Sequence, residues 1–324
     1  MQDEFPSVTV IIPTRPGQSD IAAVRGCRAL DYPRDRLDVI VARGRQPAVQ
    51  RNTALQAAGG ELIYFLDDDS VPSPGELRRA VAHFRSDEVK MVGGPNLCPP
   101  EAPFIEQVFA VVLASWLAFG PSRARYVAVG EVRSTSEKEL ILCNLLARRA
   151  DLEQAGGFDE ALYPNEENAL MDALQRQGGR LLYDPRFSVQ RRPRPTLRAF
   201  CKMLVTYGRG RAEQFRLHPT PGSALNFVPP LFLLYLAGWP ALSLARIVPA
   251  WWGWVPLFFY GLAVLGQTIA NRARFGVEKS VAALPLVVAT HLLYGFGFWR
   301  GLFTRVGGTE TGRATEVTLE RVSL

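Results

Sequence analysis

Apolar positions follow two regimes along the chain. In the first, short β-branched and aromatic bursts alternate with mixed stretches: "SVTVIIPTR", "RLDVIVA", "ELIYFL" and "VKMVGGP". Each burst reads as a buried strand. The intervening segments carry apolar residues at helical spacing. They predict helices over about Asp20–Leu30, over "PAVQRNTALQAAGG" and over "SPGELRRAVAHF". The Gly59–Gly60 pair reads as a glycine stop. Ser73, Pro74 and Glu76 read as cap, first helical residue and capping-box acid. Strand–helix alternation with short links predicts an α/β unit with a mostly parallel sheet. Ligands of such sheets sit at the carboxyl ends of the strands.

In the second regime, from Asn226 to Phe303, the chain is almost wholly apolar. Phe227–Ala245, Ala250–Asn271 and Ser280–Trp299 each approach the ~20 residues a spanning helix needs. Trp251, Trp252 and Trp254 suit an interfacial belt. A buried helical hairpin is the competing reading, which three such stretches in one region disfavour. Gln107–Ser122 is also uncharged but short, as in a core helix or, the favoured reading, one lying at the membrane interface.

These patterns divide the chain into an α/β unit at 1–200, a basic juxtamembrane helix at 201–226, three transmembrane helices at 227–305 and a tail at 306–324. "MQDEFPSVTV" lacks the basic and apolar blocks of a signal peptide, so the first unit is expected in the cytoplasm. A multi-pass protein of the inner membrane follows. Arg272, Arg274 and Lys279 then lie inside, as basic loops prefer. The tail falls outside, against which its Arg305, Arg313 and Arg321 count.

The chain has 324 residues and a formal charge of +6, and much of the excess is local. Nine Arg and Lys stand between Arg186 and Arg216 against one acid, Glu213. Anionic lipid heads and substrate phosphates fit this cluster. Nucleic acid fits poorly, because no recognition motif accompanies it. Cys27, Cys98, Cys143 and Cys201 lack paired spacing, and the three histidines are scattered, so neither a zinc site nor a disulfide framework is expected.

"DDDS" follows the third strand and therefore stands at the ligand edge. Adjacent carboxylates on a loop suit a hard cation, Mg2+ or Mn2+. Alternation points Asp67 and Asp69 one way and Asp68 the other. A solvated acidic turn is the plain alternative. G-x-G-x-x-G and Walker A motifs are absent, so a nucleotide is not held in those ways.

"VIIPTR", then "RNTAL…GGELIYFLDDD", then "GGFDEALYPNEENAL" together resemble the family 2 glycosyltransferases of the GT-A fold, over roughly Ser7–Phe215. "NEENALMDALQRQGGRLLYDP" with the following basic segment is similar to the exopolysaccharide glucosyltransferases of the succinoglycan type. The resemblance implies a Rossmann-like GT-A domain followed by membrane helices. It implies an enzyme that moves one sugar, with inversion, from a nucleotide-sugar (a UDP-sugar is favoured) to a lipid-linked polyprenyl acceptor in polysaccharide biosynthesis.

Site roles follow from the same resemblance. Asp67 and Asp69 match the D-x-D, with Asp67 near the ribose and Asp69 on the metal, and Asp68 adjoins the nucleotide. Pro13, Thr14 and Arg15 match the first nucleotide-contacting loop, and Arg51 and Asn52 a second contact. Glu166 and Glu167 match the acidic pair whose second member, Glu167, is the general base. Arg194, Arg209 and Arg211 are candidates for a lipid phosphate, with surface anchoring as the equal alternative for the last two. Without the resemblance, Glu166 and Glu167 read as acids opening a helix.

Three departures from the family pattern stand out. "VARGRQPA" places Arg43 and Arg45 where an acid usually meets the base and ribose. The general base is Glu instead of Asp. "QRRPRP" replaces Q-x-x-R-W, which favours single addition over polymerisation. Direct transfer to polyprenyl phosphate and a non-catalytic membrane scaffold are the alternative functions.

Overall fold

The computed structural model describes residues 5–160, 166–217, 219, 221–304 and 316–324. The chain forms two compact units. The first comprises Met1–Pro99, Ala124–Arg192 and Gly308–Leu324, and the second Pro100–Arg123 and Pro193–Gly307. The division departs from the expected boundaries: an early insert leaves the first unit, and the tail rejoins it.

In chain order the elements are β1 (Val8–Thr14), α1 (Ala22–Arg28), β2 (Leu37–Arg43), α2 (Pro47–Ala57), β3 (Leu62–Leu66), β4 (Val71–Pro72), α3 (Glu76–Val81), β5 (Val89–Gly93) and β6 (Asn96–Leu97). The insert holds α4 (Phe104–Leu113) and α5 (Trp116–Phe119). Next come β7 (Arg133–Ser134), β8 (Asn144–Arg148), α6 (Arg149–Gln154), α7 (Glu166–Arg176), β9 (Arg180–Tyr183) and β10 (Val189–Gln190). Helices α8 (Leu197–Leu217), α9 (Val228–Leu244), α10 (Trp254–Phe275) and α11 (Val277–Phe303) lead to the last strand, β11 (Thr318–Val322).

The main sheet runs β11-β2-β1-β3-β8-β5-β9-β7, and β4-β10-β6 form a small second sheet. Strand β1 lies parallel to β2 and β3, and β5 parallel to β9. Strands β8, β7 and β11 run antiparallel to their neighbours. The sheet is thus mostly parallel, as the alternation predicts.

Its apolar runs are continuous because both faces are covered. Val8, Val10, Ile12, Val39 and Tyr64 enter one core. Ile11, Ile40, Ile63 and Phe65 enter the other. Burying one such side chain stabilises by about 1.5–3 kcal/mol. Cys27 and Cys143 lie in this interior, where burial pushes their thiols up to about 12 and about 11.

Three local expectations need correction. Helix α2 ends at Ala57 with an extended Ala58, so the glycine pair is no cap. Gly60 is instead a close-approach residue: a Cβ there would stand 2.4 Å from the Thr9 nitrogen on β1. Helix α3 starts at Glu76 with Gly75 before it and no side-chain cap. The Glu76 carboxylate also accepts hydrogen bonds from the backbone nitrogen and the hydroxyl of Ser188.

The third correction concerns the tail. It was expected beyond the membrane, on the side opposite the catalytic unit. Residues 318–322 instead pair antiparallel with β2, from Thr318 opposite Arg43 to Val322 opposite Val39. Arg321 fastens the strand by an ion pair to Asp38 and a 2.7 Å hydrogen bond to the Ala57 carbonyl.

Within the second unit, α4 is largely buried, and Phe109 stacks on Phe200 of α8 with centroids 4.3 Å apart. Among the described residues three helices, Ala224–Leu244, Trp251–Phe275 and Val277–Phe303, are long and apolar enough to cross a membrane.

Candidate active site

Strands β1, β2 and β3 deliver Thr14, Arg43 and the Asp67–Asp69 turn to one edge of the sheet. Parallel pairing sets this: Ile11 of β1 stands opposite both Ile40 of β2 and Phe65 of β3. The three aspartates divide as alternation predicts. Asp68 accepts a 2.9 Å hydrogen bond from the Thr14 hydroxyl. Asp67 and Asp69 turn to a common partner, Arg191, which follows β10. Its Nη2 lies 3.0 Å from Asp67 and its Nε 2.6 Å from Asp69.

The electrostatics are those of a compensated cluster. Burial pushes the Asp68 carboxyl above the ordinary carboxylate range; the Thr14 hydrogen bond opposes this and the neighbouring aspartates add to it. Burial works against the Arg191 charge as well, yet the carboxylates overcome it and the guanidinium holds its proton more firmly than usual.

A second guanidinium joins this turn to α7. Arg51 of α2 is buried, with Nη2 3.3 Å from Asp67 and Nη1 3.1 Å from Glu166. Asp67, Arg51 and Glu166 therefore form one chain of charge, and the two acidic motifs share a neighbourhood. Glu166 is 3% exposed and committed to this link. Glu167 is half-buried and, among the described residues, its side chain makes no ion pair or hydrogen bond. Both open α7, where acids meet the positive end of the helix dipole.

Other expected contacts take different tasks. Asn52 holds the loop before α7: its amide donates to the Phe158 carbonyl at 2.8 Å and to Glu160 at 2.9 Å, and its oxygen accepts from the Phe158 nitrogen. Its hydrogen bonds are spent within the chain. Pro13 is buried in β1, while Arg15 is exposed just beyond it. Arg194, Arg209 and Arg211 belong to the second unit. Arg194 is exposed, Arg209 pairs with Glu213 at 3.4 Å, and Arg211 donates to Gln214 at 2.9 Å.

Two residues of this edge escaped the sequence reading. Arg191 lies in the "QRRPRP" run, from which Arg194 had been singled out. Glu320, on β11, accepts from Arg43 Nε and Nη2 at 3.0 and 2.9 Å. An acid thus does stand beside the "VARGRQPA" loop, supplied from 277 positions away.

The donor set fits a divalent cation. Two hard carboxylates already converge on a single positive group, Arg191. Among the described residues no cluster of three or more metal-ligating side chains exists. Mg2+ is commonly held by one or two protein carboxylates, its shell completed by water and substrate phosphates.

Residues 62–299 match the model of glycosyl transferase family group 2. The chain is 28% identical over 234 residues to a pre-mycofactocin glycosyltransferase of Mycobacterium tuberculosis, covering 65% of this chain and 48% of that protein. It is 30% identical over 193 residues to the succinoglycan biosynthesis protein ExoA of Rhizobium meliloti, covering 58% and 54%. The chain spans about half the length of these curated relatives. Among solved structures, a mannosyltransferase of Pyrobaculum calidifontis, in complex with GDP-Man and Mn2+, is similar over 92% of this chain and 88% of its own, with a TM-score of 0.56 at 18% identity. That likeness supports the GT-A fold.

Proposed function

The chain belongs to glycosyl transferase family group 2, and on that footing we propose that it transfers one sugar from a nucleotide-sugar to a hydroxyl of a lipid-linked acceptor, with inversion. The observation that carries this reading is the junction at Arg51. It ties the D-x-D turn to the start of α7 through bonds of 3.3 and 3.1 Å.

Asp67 and Asp69 would hold Mg2+ or Mn2+, which when bound offsets the charge of the leaving diphosphate. The remaining work falls to the chain's own groups. Arg191 balances the two carboxylates when no metal is present. Arg51 fixes Asp67 and Glu166 against each other, so it is a positioning residue. Glu167, the uncommitted acid, takes the proton from the acceptor hydroxyl as its oxygen attacks the anomeric carbon. Attack opposite the leaving group turns an α-linked donor into a β-linked product. Arg43, held by Glu320, and the exposed Arg15 border the edge where the nucleotide binds.

A lipid-linked acceptor is supported by the apolar helices of the second unit. Polysaccharide or related glycan assembly is supported by the two curated relatives, each named for a glycan or glycosylation role. The test is a donor screen on the full chain: thermal shift and transfer with UDP-, GDP- and dTDP-sugars, with and without Mn2+ or Mg2+. Metal-dependent stabilisation by one donor class is expected. Melting that ignores every donor would remove the proposal.

A further inference from the structure

The chain leaves the first unit after Arg192 and rejoins it at Gly308. Strand β11 lies in the same sheet as β1, paired to β2. A polypeptide that leaves and re-enters one folded unit crosses any bilayer an even number of times. Three helices are long and apolar enough to cross, so at least one of them does not. Residues 305–315 cannot supply the missing passage: they include Arg305, Glu310 and Arg313 and fall far short of the ~20 apolar residues a span needs. The same parity applies to the insert. Helices α4 and α5, bent by 63°, leave from and return to the first unit, so they are not one span.

Packing identifies the helix that stays out. Helix α8 bears Arg198, Lys202, Arg209, Arg211, Glu213 and Arg216, and a charge at the bilayer centre costs about 2.5–3.5 kcal/mol or more. This helix lies against the C-terminal half of α11 at backbone contact distance. A Cβ on Gly208 would stand 2.0 Å from the Tyr294 carbonyl, one on Gly297 2.1 Å from the Val205 carbonyl, and one on Gly301 2.4 Å from the Arg209 carbonyl. Arg216 donates to the Gly301 carbonyl at 3.2 Å and to that of Thr304. From Val205 to Arg216 the partners advance overall from Gly297 to Thr304, so α11 runs beside α8 to its end. The part of α11 before Tyr294, Val277–Leu293, is at the lower limit for a span, and at its start Lys279 donates to Gln107 of α4 at 2.9 Å.

Helices α9 and α10 differ. Only 6% and 11% of their apolar windows are buried, against 33% for α11. Leu231, Leu234, Phe258, Phe259, Leu262 and Leu265 are all about half exposed or more. Trp251, Trp252 and Trp254 stand exposed where α9 gives way to α10, as at a membrane interface.

We infer that α9 and α10 form a two-span hairpin, while α11 stays with α8 outside the bilayer. The arrangement returns the tail to its sheet. It also gathers Arg272, Arg274, Lys279, Arg300 and Arg321 on one side and leaves Arg246 alone on the other, which is the asymmetry basic residues show across membranes. This inference is independent of the proposed chemistry.

Cysteine labelling on the full chain tests it. Ile247→Cys, Glu278→Cys, Ser323→Cys and, as reference for the first unit, Asp35→Cys are made singly and treated with an impermeant maleimide in spheroplasts, before and after permeabilisation. All four positions are exposed. Glu278→Cys and Ser323→Cys should label with Asp35→Cys, and Ile247→Cys under the opposite condition. An epitope placed after Leu324 and probed by antibody gives a second measurement of the tail. Labelling of Ser323→Cys opposite to Asp35→Cys would overturn the even count. Labelling of Ile247→Cys on the same side as Asp35→Cys, or of Glu278→Cys on the other, would overturn the hairpin.

Discussion

Arg51 Nη1 and Glu166 Oε1 stand 3.1 Å apart between two buried side chains that are 115 residues distant in the chain. The pair is the physical link between the aspartate turn and α7. Breaking a buried pair costs up to about 3–5 kcal/mol, and removing Glu166 leaves the buried Arg51 with Asp67 alone. Glu166→Ala should therefore lower the melting temperature markedly, and Arg51→Met with Glu166→Leu should recover part of the loss. A double-mutant cycle by thermal unfolding checks this; strictly additive effects would show that the pair is not coupled.

Arg191 occupies the charge position between Asp67 and Asp69. Arg191→Ala leaves Asp69 without its counter-charge and Asp67 with Arg51 alone. In EDTA the variant should melt lower than the parent, by about 1–2 kcal/mol in view of its partial exposure. Added Mn2+ should restore more stability to the variant than to the parent, because the competing guanidinium is gone. Equal Mn2+ responses of variant and parent would separate Arg191 from the metal position.

Glu76 gives a pH signature away from this site. Burial raises its carboxyl from the ordinary 4.5 to about 7, despite the hydrogen bonds from Ser188. The fold therefore favours the acid form. Its contribution to stability is complete below pH 4.5 and is lost as pH rises through about 7. Glu76→Gln, which keeps an oxygen for the Ser188 nitrogen, should flatten the fall in melting temperature across that window. An unchanged slope between parent and variant would contradict the assignment.

Deleting residues 316–324 removes β11 and exposes the edge of β2. Open edges template pairing with other chains, and Arg43 loses its Glu320 partner. The truncated protein should aggregate in detergent and bind the donor nucleotide more weakly. Size-exclusion chromatography and nucleotide titration read the two effects. A monodisperse variant with parental affinity would show that the strand is dispensable.

Much of the first unit was legible because its signals are local. Strands β1, β2, β3 and β5 announce themselves as apolar bursts, and the period-2 rule separates Asp68 from its neighbours. Features set by tertiary pairing were not legible. Nothing near Glu320 says that it meets Arg43, since register along β2 decides it. Ser73 and Glu76 form a good capping pattern, but the same carboxylate also takes the nitrogen and hydroxyl of Ser188, 112 positions away. Asn52 adjoins Arg51 and was grouped with it, whereas the loop at Phe158 claims its amide. Three apolar stretches are equally plain as sequence. The features behind the inferred two-span hairpin, the glycines of α8 and α11 and the pairing of β11 with β2, lie in no window of hydropathy.

The central claim is that an acid opening α7 activates the acceptor beside the aspartate turn. Glu167→Gln tests it most directly, with donor binding and transfer measured on the same preparation. Metal-dependent nucleotide-sugar binding should persist, while kcat for transfer to a hydroxyl acceptor falls by about 10²–10⁴-fold. Transfer at the parental rate with donor binding intact would contradict the account.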